Sequence, residues 1–460
     1  MEDTAVQTAA SHRLSRRQTV GLVLVLLLGV ALRFLDVAGT VVDHPFRSDA
    51  AVYYKTAYNL NTYGVYSHDI NESDGRESAP QPDAFVTPGY PLFLTLFVDR
   101  PPEPSIFHEV ELWQALIGSV TLLLVFYLFW QLAGYAVGLL AMLLTAISPH
   151  QVDTTLFMVT ETWFTLLLMA ALAAFAARLA GPRRFLPALL AAGALLGAAA
   201  LTRPILEFFP PFLAAMLFLA HPRRQALKGG AVLLAGFLLL WLPWLVRNEV
   251  SIGKAGDSSV MIDTLTAGMY PDFEYEHNPA SLARPSRWDP RFVEINKDLG
   301  SALHEIGRRF REHPGEELEW YLVGKPVTLW SWEVIEGGWD AYIYPVRRGS
   351  PYETNLLFRI THDVAYYLHW PLVLLAFLTT FYVWLPRAKR QLPAPALLMA
   401  RVIGLLLLYN TGVLMVLAPF VRYSIPFLPL VFGMAMLGGL LLLRWDRRRK
   451  APPGQPLPAQ

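Results

Sequence analysis

The 460-residue chain has no cysteine, so disulfides and thiolate metal sites are excluded, while the redox compartment stays open. Charge is scarce too. Only 16% of residues are charged, and 38 basic against 37 acidic side chains leave a formal net charge of +1, which gives no electrostatic footprint for nucleic acid. No His-Glu-x-x-His, Walker loop or Gly-rich dinucleotide turn occurs, so soluble nucleotide use has no support. There is no repeat at a fixed period either.

What is abundant is apolar sequence. Hydrophobic residues make up 54% of the chain and the mean hydropathy is +0.36, well beyond what a soluble domain of this length needs for its core. Apolar windows of about 17 to 25 residues, long enough to cross a hydrocarbon core, recur near 20–35, 109–131, 134–151, 157–179, 185–202, 205–220, 227–247, 363–385, 396–418 and 424–443. The expected fold is an all-α polytopic membrane protein with about ten transmembrane helices.

Basic residues support that alternation, because Lys and Arg beside short loops stay cytoplasmic. They fall at Arg13/Arg16/Arg17, Arg183/Arg184, Arg223/Arg224/Lys228, Arg387/Lys389/Arg390 and Arg444/Arg447/Arg448/Arg449/Lys450. Both termini are then cytoplasmic, in a plasma (inner) membrane, and the long polar segments 36–108 and 248–362 face the exterior. The first apolar run lacks a small-x-small site and continues through Leu32-Arg33-Phe34-Leu35, which favours an uncleaved anchor over a signal peptide. The organisation is thus a tail 1–19, a membrane region 20–247 that includes 36–108, an exterior segment 248–362, C-terminal spans 363–443 and a Pro-rich tail 444–460.

Within 36–108, Ser48 is placed to cap a helix starting at Asp49 and stopping at Gly64, lying along the membrane surface. Thr87-Pro88-Gly89-Tyr90-Pro91 reads as a turn, and Leu92–Val98 as an apolar segment too short to span. Segment 248–362 is mixed, with a charged helical stretch over Arg291–Glu319. Its Trp320, Trp330, Trp332 and Trp339 have two readings, as interfacial anchors or as a platform for a sugar or extended acceptor.

Asp49 heads the candidate residues. A carboxylate near lipid needs solvation or a partner. Its position suits the dipole at a helix N-terminus, and equally a general base acting on an acceptor hydroxyl. Glu161, at the exterior end of a span, is either paired within the bundle or lines a cavity. Arg203 and Arg422 lie on the side that is normally poor in arginine, so each calls for an anion. That anion is a lipid-linked phosphate matched to the guanidinium fork, or an acid such as Glu161, Glu207 or Asp153. Lys55 is a third cation with phosphate or headgroup contact as its two readings. His150 sits near Asp153, where a lone His is more often hydrogen-bonded than a metal ligand. His362, Asp363 and His369 form another loose group, and Arg247 is a commonplace interfacial cation.

The order of these pieces resembles the GT-C superfamily of integral-membrane glycosyltransferases. Within it, the chain is similar to the glycosyltransferase family 39 or PMT_2-type group, related to protein O-mannosyltransferases and lipid A aminoarabinose transferases. The matching pieces are Asp49 with Tyr53 and Ala57, Tyr66-Ser67, and Pro88-Gly89-Tyr90-Pro91-Leu92-Phe93. Further on come Thr160-Glu161-Thr162, Leu201-Thr202-Arg203-Pro204, Pro243-Trp244-Leu245-Val246-Arg247-Asn248, and Arg422-Tyr423 before Pro426.

The resemblance implies a catalytic acid in the first exterior loop, which maps to Asp49, and a polyprenyl-phosphate sugar as donor. The expected site then has Asp49 and Glu161 as catalytic groups. Arg203, Arg422, Tyr423 and Lys55 hold the donor phosphate, and Tyr53, Tyr90 and His150 line the substrate cavity. Members with a doubled acidic motif exist, whereas this chain has Ser48-Asp49. No metal cofactor is required if arginines neutralise the leaving group, and a divalent metal stays open. The acceptor is a lipid, glycan or protein hydroxyl at the outer face, and attack from the opposite face inverts the anomeric centre. The rival class is a transporter or flippase of lipid-linked sugars, which calls for midplane charges and paired repeats. A non-catalytic membrane scaffold is the third.

Overall fold

A computed structural model of the chain describes residues 14–69, 79–177, 185–347 and 350–450, without the side chains of 445 and 447–450. Arg13, Glu72, Asp74, Arg183, Arg184 and the tail from Ala451 lie outside the described residues. The elements are helices, and no strand occurs among the described residues beyond isolated antiparallel bridges at Val42 with Val346 and Tyr275 with Asn278.

In chain order the first helices are α1 (Arg16–Gly39), α2 (Ser48–Tyr63), α3 (Gly89–Leu94), α4 (Pro104–Ala133), α5 (Tyr135–Ile147), α6 (Pro149–Asp153), α7 (Glu161–Ala177), α8 (Phe185–Thr202), α9 (Phe209–Met216) and α10 (Arg223–Ile252). The second polar segment holds α11 (Ser259–Ala267), α12 (Phe292–Ile295), α13 (Leu299–Glu312), α14 (Pro314–Glu319), α15 (Lys325–Leu329) and α16 (Pro351–Thr354). The chain closes with α17 (Leu356–Tyr382), α18 (Ala394–Val416) and α19 (Leu428–Lys450).

Seven helical segments are long and apolar enough to cross a membrane, and three shorter apolar ones, Tyr135–Ile147, Glu161–Ala177 and Pro204–Leu219, fall where three further spans were expected. The window 134–151 is interrupted. Ser148 takes an extended conformation and Pro149 restarts the chain as α6, because proline cannot donate back into the preceding turn. Large apolar side chains of α1, α10 and α17, such as Leu24, Leu239 and Leu378, face outward, as a lipid-solvated surface requires.

Tyr135 donates from its hydroxyl to the Gln18 carbonyl, which ties the uncharged α4–α5 turn to the basic start of α1, and Arg444 donates to the Gln391 carbonyl, which joins two basic ends. The two long polar segments meet each other instead. Asp43 N donates to the Pro345 carbonyl and Arg347 N to the Val41 carbonyl. Arg247 reaches the carbonyls of Asp83 and Tyr66 at 2.5 and 3.0 Å, with its guanidinium between the rings of Tyr66 and Trp244. This cation therefore fastens the first polar segment to α10.

Two sequence expectations change locally. Ser48 is inside the first turn of α2 rather than its cap; Arg47 is the N-cap and makes no side-chain cap bond. Gly64 does end the helix, in the left-handed conformation that lacks a Cβ penalty, with φ 67°. Thr87–Pro91 is not a free turn either, since Gly89 opens α3 and lies against the backbone of Leu201 and Thr202. The apolar segment after it rests on neighbouring helices, with Phe93 stacked on Trp163 at 4.8 Å. Of the four tryptophans, Trp320, Trp330 and Trp332 are buried in protein and donate to Gly268, Thr411 and Asp340, while Trp339 is exposed.

Close helix packing uses small residues. A Cβ on Gly193 of α8 would stand 2.0 Å from the Leu233 carbonyl oxygen of α10, and one on Gly236 of α10 would stand 2.3 Å from the Leu190 carbonyl oxygen of α8. Backbones can approach this closely only without a side chain between them. Gly193→Leu is expected to cost about 1–3 kcal/mol, seen as a lowered unfolding temperature. Gly412→Leu, where no atom lies within 4 Å, is the control expected to leave that temperature unchanged.

The charged stretch folds as α13 and α14, with Glu305 at its hub. Its side chain, 4% exposed, meets Arg291 at 2.7 Å, Arg308 at 2.7 Å and Arg309 at 3.2 Å. Burial alone would raise the Glu305 pKa, but bonds from Arg308 and Arg291 hold it down to about 2. A carboxyl depressed in this way stabilises the fold above its ordinary pKa and loses that contribution as pH falls toward about 2. The protection of residues 289–312 against hydrogen exchange, corrected for the intrinsic rate at each pH, should therefore fall below about pH 4 in the wild type. In Glu305→Gln it should already be low at neutral pH and change little on acidification.

Candidate active site

The break between α1 and α2 sets the first group. Ser48 adopts φ 48°, a left-handed conformation that costs energy in a residue with a side chain, and Asp49 follows in the first turn of α2. The positive end of the helix dipole favours its carboxylate there. Glu161 is the first residue of α7, Arg203 follows the end of α8 before Pro204, and Arg422 lies in the 3-10 turn Val421–Tyr423 before α19.

These four side chains converge. Arg422 Nη2 meets Asp49 Oδ2 at 2.5 Å, and its Nε meets Glu161 Oε1 at 3.2 Å. Arg203 Nη1 meets the same Glu161 oxygen at 2.8 Å and also donates to Thr160 Oγ1 at 3.3 Å. The Tyr423 ring lies under both cations, 4.8 Å from the Arg203 guanidinium and 5.7 Å from that of Arg422. One ring thus carries two guanidinium groups through its negative face.

Exposure separates the two carboxylates. The Glu161 side chain is 0% exposed, against 39% for Asp49. Glu161 is therefore committed to holding the arginines, while Asp49 has an open side toward a substrate. The aromatic wall is Tyr53, with its ring edge-on to Tyr90 at 5.2 Å. Burial and then the Asp49 charge push the Tyr53 phenol well up, so it stays protonated and can donate. Tyr90 is fixed by its hydroxyl donating to Gln114 Oε1 at 2.8 Å, whose amide in turn donates to the Thr155 and Phe157 carbonyls.

Two expected members stand apart. Lys55 is half-buried on α2, and no hydrogen bond or ion pair joins it to the four-residue cluster. His150 belongs to a different network, with Nε2 on the Trp332 carbonyl at 2.8 Å and its ring 6.2 Å from that of His369. Burial first, then the neighbouring His369, lowers its pKa to about 4. Pro149 opens the short helix that aims the His150 ring at Trp332.

Sequence reasoning missed Glu336. The Arg422 backbone N–H donates to Glu336 Oε1 at 3.2 Å, which brings a third acid from the second polar segment to the cluster. Burial pushes its carboxyl up. Beside it, the carboxylates of Asp49 and Glu161 pair with the guanidiniums of Arg203 and Arg422. No group of three metal-ligating side chains occurs among the described residues. Between Asp49 and Glu161 stands the Arg422 guanidinium, a place a bridging cation would need.

Apolar helices with two polar segments over one end, and the charge cluster beneath them, make up a polytopic membrane fold. Residues 104–246, from the start of α4 into α10, match the model of the PMT_2 family, described as dolichyl-phosphate-mannose-protein mannosyltransferase. Of the motifs that carry the resemblance, that match takes in Thr160-Glu161-Thr162, Leu201-Thr202-Arg203-Pro204 and Pro243-Trp244-Leu245-Val246.

Among solved structures, the chain is similar to the archaeal oligosaccharyltransferase AglB from Archaeoglobus fulgidus in complex with an inhibitory peptide and a dolichol-phosphate. The TM-score is 0.53 at 15% identity, over 97% of this chain and 53% of that one. The same archaeal enzyme tethered to an acceptor peptide gives 0.51 at 17% identity, over 94% and 50%. The chain thus spans about half the length of these enzymes. A weaker likeness, 0.39 at 14% identity over 95% and 81%, is to ArnT from Cupriavidus metallidurans bound to undecaprenyl phosphate, and nothing below depends on it. A comparison with curated protein sequences gives no match.

Removing the shared carboxylate leaves Arg203 without its carboxylate partner and Arg422 with Asp49 alone. Glu161→Gln is expected to destabilise the protein by about 3–5 kcal/mol. Asp49→Asn, at the exposed end of the cluster, should cost about 1 kcal/mol or less. Thermal unfolding of the detergent-solubilised variants, followed by tryptophan fluorescence, checks this, and equal shifts for the two would contradict the division of roles.

Proposed function

We propose that the protein is a membrane glycosyltransferase that moves a sugar from a polyprenyl-phosphate donor to an acceptor hydroxyl at the outer face of the membrane. One observation carries the reading: a half-open carboxylate, Asp49, bonded to an arginine that shares a buried counter-ion with a second arginine. A base for an incoming hydroxyl and a fork for an outgoing phosphate are thereby held side by side.

In the proposed reaction the acceptor hydroxyl gives its proton to Asp49 as its oxygen bonds to the anomeric carbon. The bond from that carbon to the phosphate oxygen breaks, and its electron pair leaves with the polyprenyl phosphate. The added negative charge develops beside Arg422 and Arg203, whose guanidiniums are fixed beforehand by Glu161 and Tyr423. Preorganised donors of this kind stabilise charge without reorganising at the moment of reaction. A single displacement of this type inverts the anomeric centre.

Support comes from the fold shared with an enzyme whose solved form holds dolichol-phosphate, and from the family match over α4 to α10. The outer-face assignment rests on the basic helix ends lying away from the two polar segments. Against a flippase, the cluster lies at one end of the bundle where the polar segments meet, rather than at its midplane.

Purified protein in lipid nanodiscs, given a panel of radiolabelled polyprenyl-phosphate sugars and hydroxyl acceptors, tests the reading. Asp49→Asn should lower kcat by about 10²–10⁴-fold, the usual contribution of a general base, with donor binding retained. Equal turnover by wild type and Asp49→Asn would refute the assigned base.

A further inference from the structure

The loop between α15 and α16 holds two polar groups that the reaction above does not use. Glu336 spends Oε1 on the Arg422 amide, while its Oε2 is sealed from solvent and has no partner. The Tyr344 side chain is 6% exposed, and its hydroxyl also lacks a hydrogen-bond partner. The Ala50 amide approaches that hydroxyl without reaching hydrogen-bond geometry. Both groups feel the charges of Arg422 and Glu161, and Tyr344 also that of Asp49, so both lie beside the cluster.

Unpaired buried polar atoms are costly, at about 1–3 kcal/mol each, and two from one loop beside a charged site call for an occupant. The loop is built to hold them. Gly338 N donates to the Tyr342 carbonyl, Val334 N to that of Asp340, and Asp43 N ties the loop to the lead-in of α2 through Pro345. A Cβ on Gly337 or Gly338 would stand 2.3 or 2.5 Å from the carbonyl oxygens of Ile343 and Tyr344, so only glycine allows this fold-back. Trp339 and Asp340 follow with φ 68° and 50°, left-handed conformations that are strained in residues with side chains. The Tyr344 ring is clamped between the Arg47 guanidinium at 5.6 Å and Phe157 at 5.5 Å.

We propose that Glu336 and Tyr344 form the sugar-recognition subsite of the donor, hydrogen-bonding its hydroxyls while Arg203 and Arg422 hold its phosphate. The proposal rests on the donor reading given above. A carboxyl oxygen accepts from a sugar hydroxyl, and a phenol both donates to one and accepts from it. The two groups meet this need with the atoms that lack a partner, Glu336 Oε2 and the Tyr344 hydroxyl. A site that hydrogen-bonds a hydroxyl also rejects ligands lacking it, because its own groups are then left unpaired.

The test compares binding of a polyprenyl-phosphate hexose, a polyprenyl-phosphate aminosugar and bare polyprenyl phosphate to the full-length protein in nanodiscs. Wild type should bind the hexose lipid about tenfold more tightly than the bare lipid, the worth of one or two net hydrogen bonds. Tyr344→Phe should shrink that ratio severalfold while leaving the bare lipid's affinity unchanged, and Glu336→Gln, which still accepts from the Arg422 amide, should shrink it less than Glu336→Leu. Tyr344→Phe decides alone if Glu336→Leu does not fold. An unchanged ratio for both sugar lipids, or an equal loss for sugar-bearing and bare lipids, would overturn the proposal. Failure of wild type to bind any of the three lipids would instead bring down the donor reading beneath it.

Discussion

The Arg422 guanidinium is the joint on which the site depends. It ties Asp49 of the first polar segment to Glu161 of α7, and through its backbone it holds Glu336 of the second polar segment. Three regions far apart in sequence are fixed by one residue at the head of α19. Such a joint is stable only because the opposing charges balance, since a buried ion lacking its partner costs several kcal/mol. Removal of any member therefore has two effects, on the chemistry and on the docking of the polar segments over the bundle.

The membrane fold explains why so much depends on so few charges. The apolar helices turn large aliphatic side chains outward, where lipid solvates them, and pack inward on small residues such as Gly193 and Gly236. Lipid offers no hydrogen bonds, so polar groups gather where they can satisfy one another. Here that is the end of the bundle beneath the two polar segments. Glu161, with no exposure, acts as the internal counter-ion, and Asp49, 39% exposed, is the member left open. The same sorting by burial sets apart two carboxylates that were both catalytic candidates in the sequence, one sealed and one open.

The helix pattern was legible because hydropathy over some twenty residues is a strong signal. All ten expected apolar windows have a helical counterpart, although three are shorter than a full crossing. Asp49 and Arg422 were legible singly, as charges where the chain normally has none, but their contact across 373 residues was not, since no period or spacing encodes it. Lys55 and His150 read as site residues for being polar and near the same end, but neither is bonded to the cluster, and Pro149 sends His150 toward Trp332. Glu336 and Tyr344 lie in a loop held by backbone bonds and two glycines, where side-chain direction follows from tertiary geometry. The run Glu336-Gly337-Gly338 was the one local sign of a tight fold-back.

The central claim is that Arg203 and Arg422 exchange part of their pairing for a lipid phosphate while Asp49 becomes free to act. An experimental structure with polyprenyl phosphate bound tests it most directly. The account predicts a phosphate oxygen at hydrogen-bonding distance, about 3 Å, from both guanidiniums, with the Asp49–Arg422 bond opened. A phosphate bound elsewhere, with that bond and both Glu161 pairings intact, would contradict it.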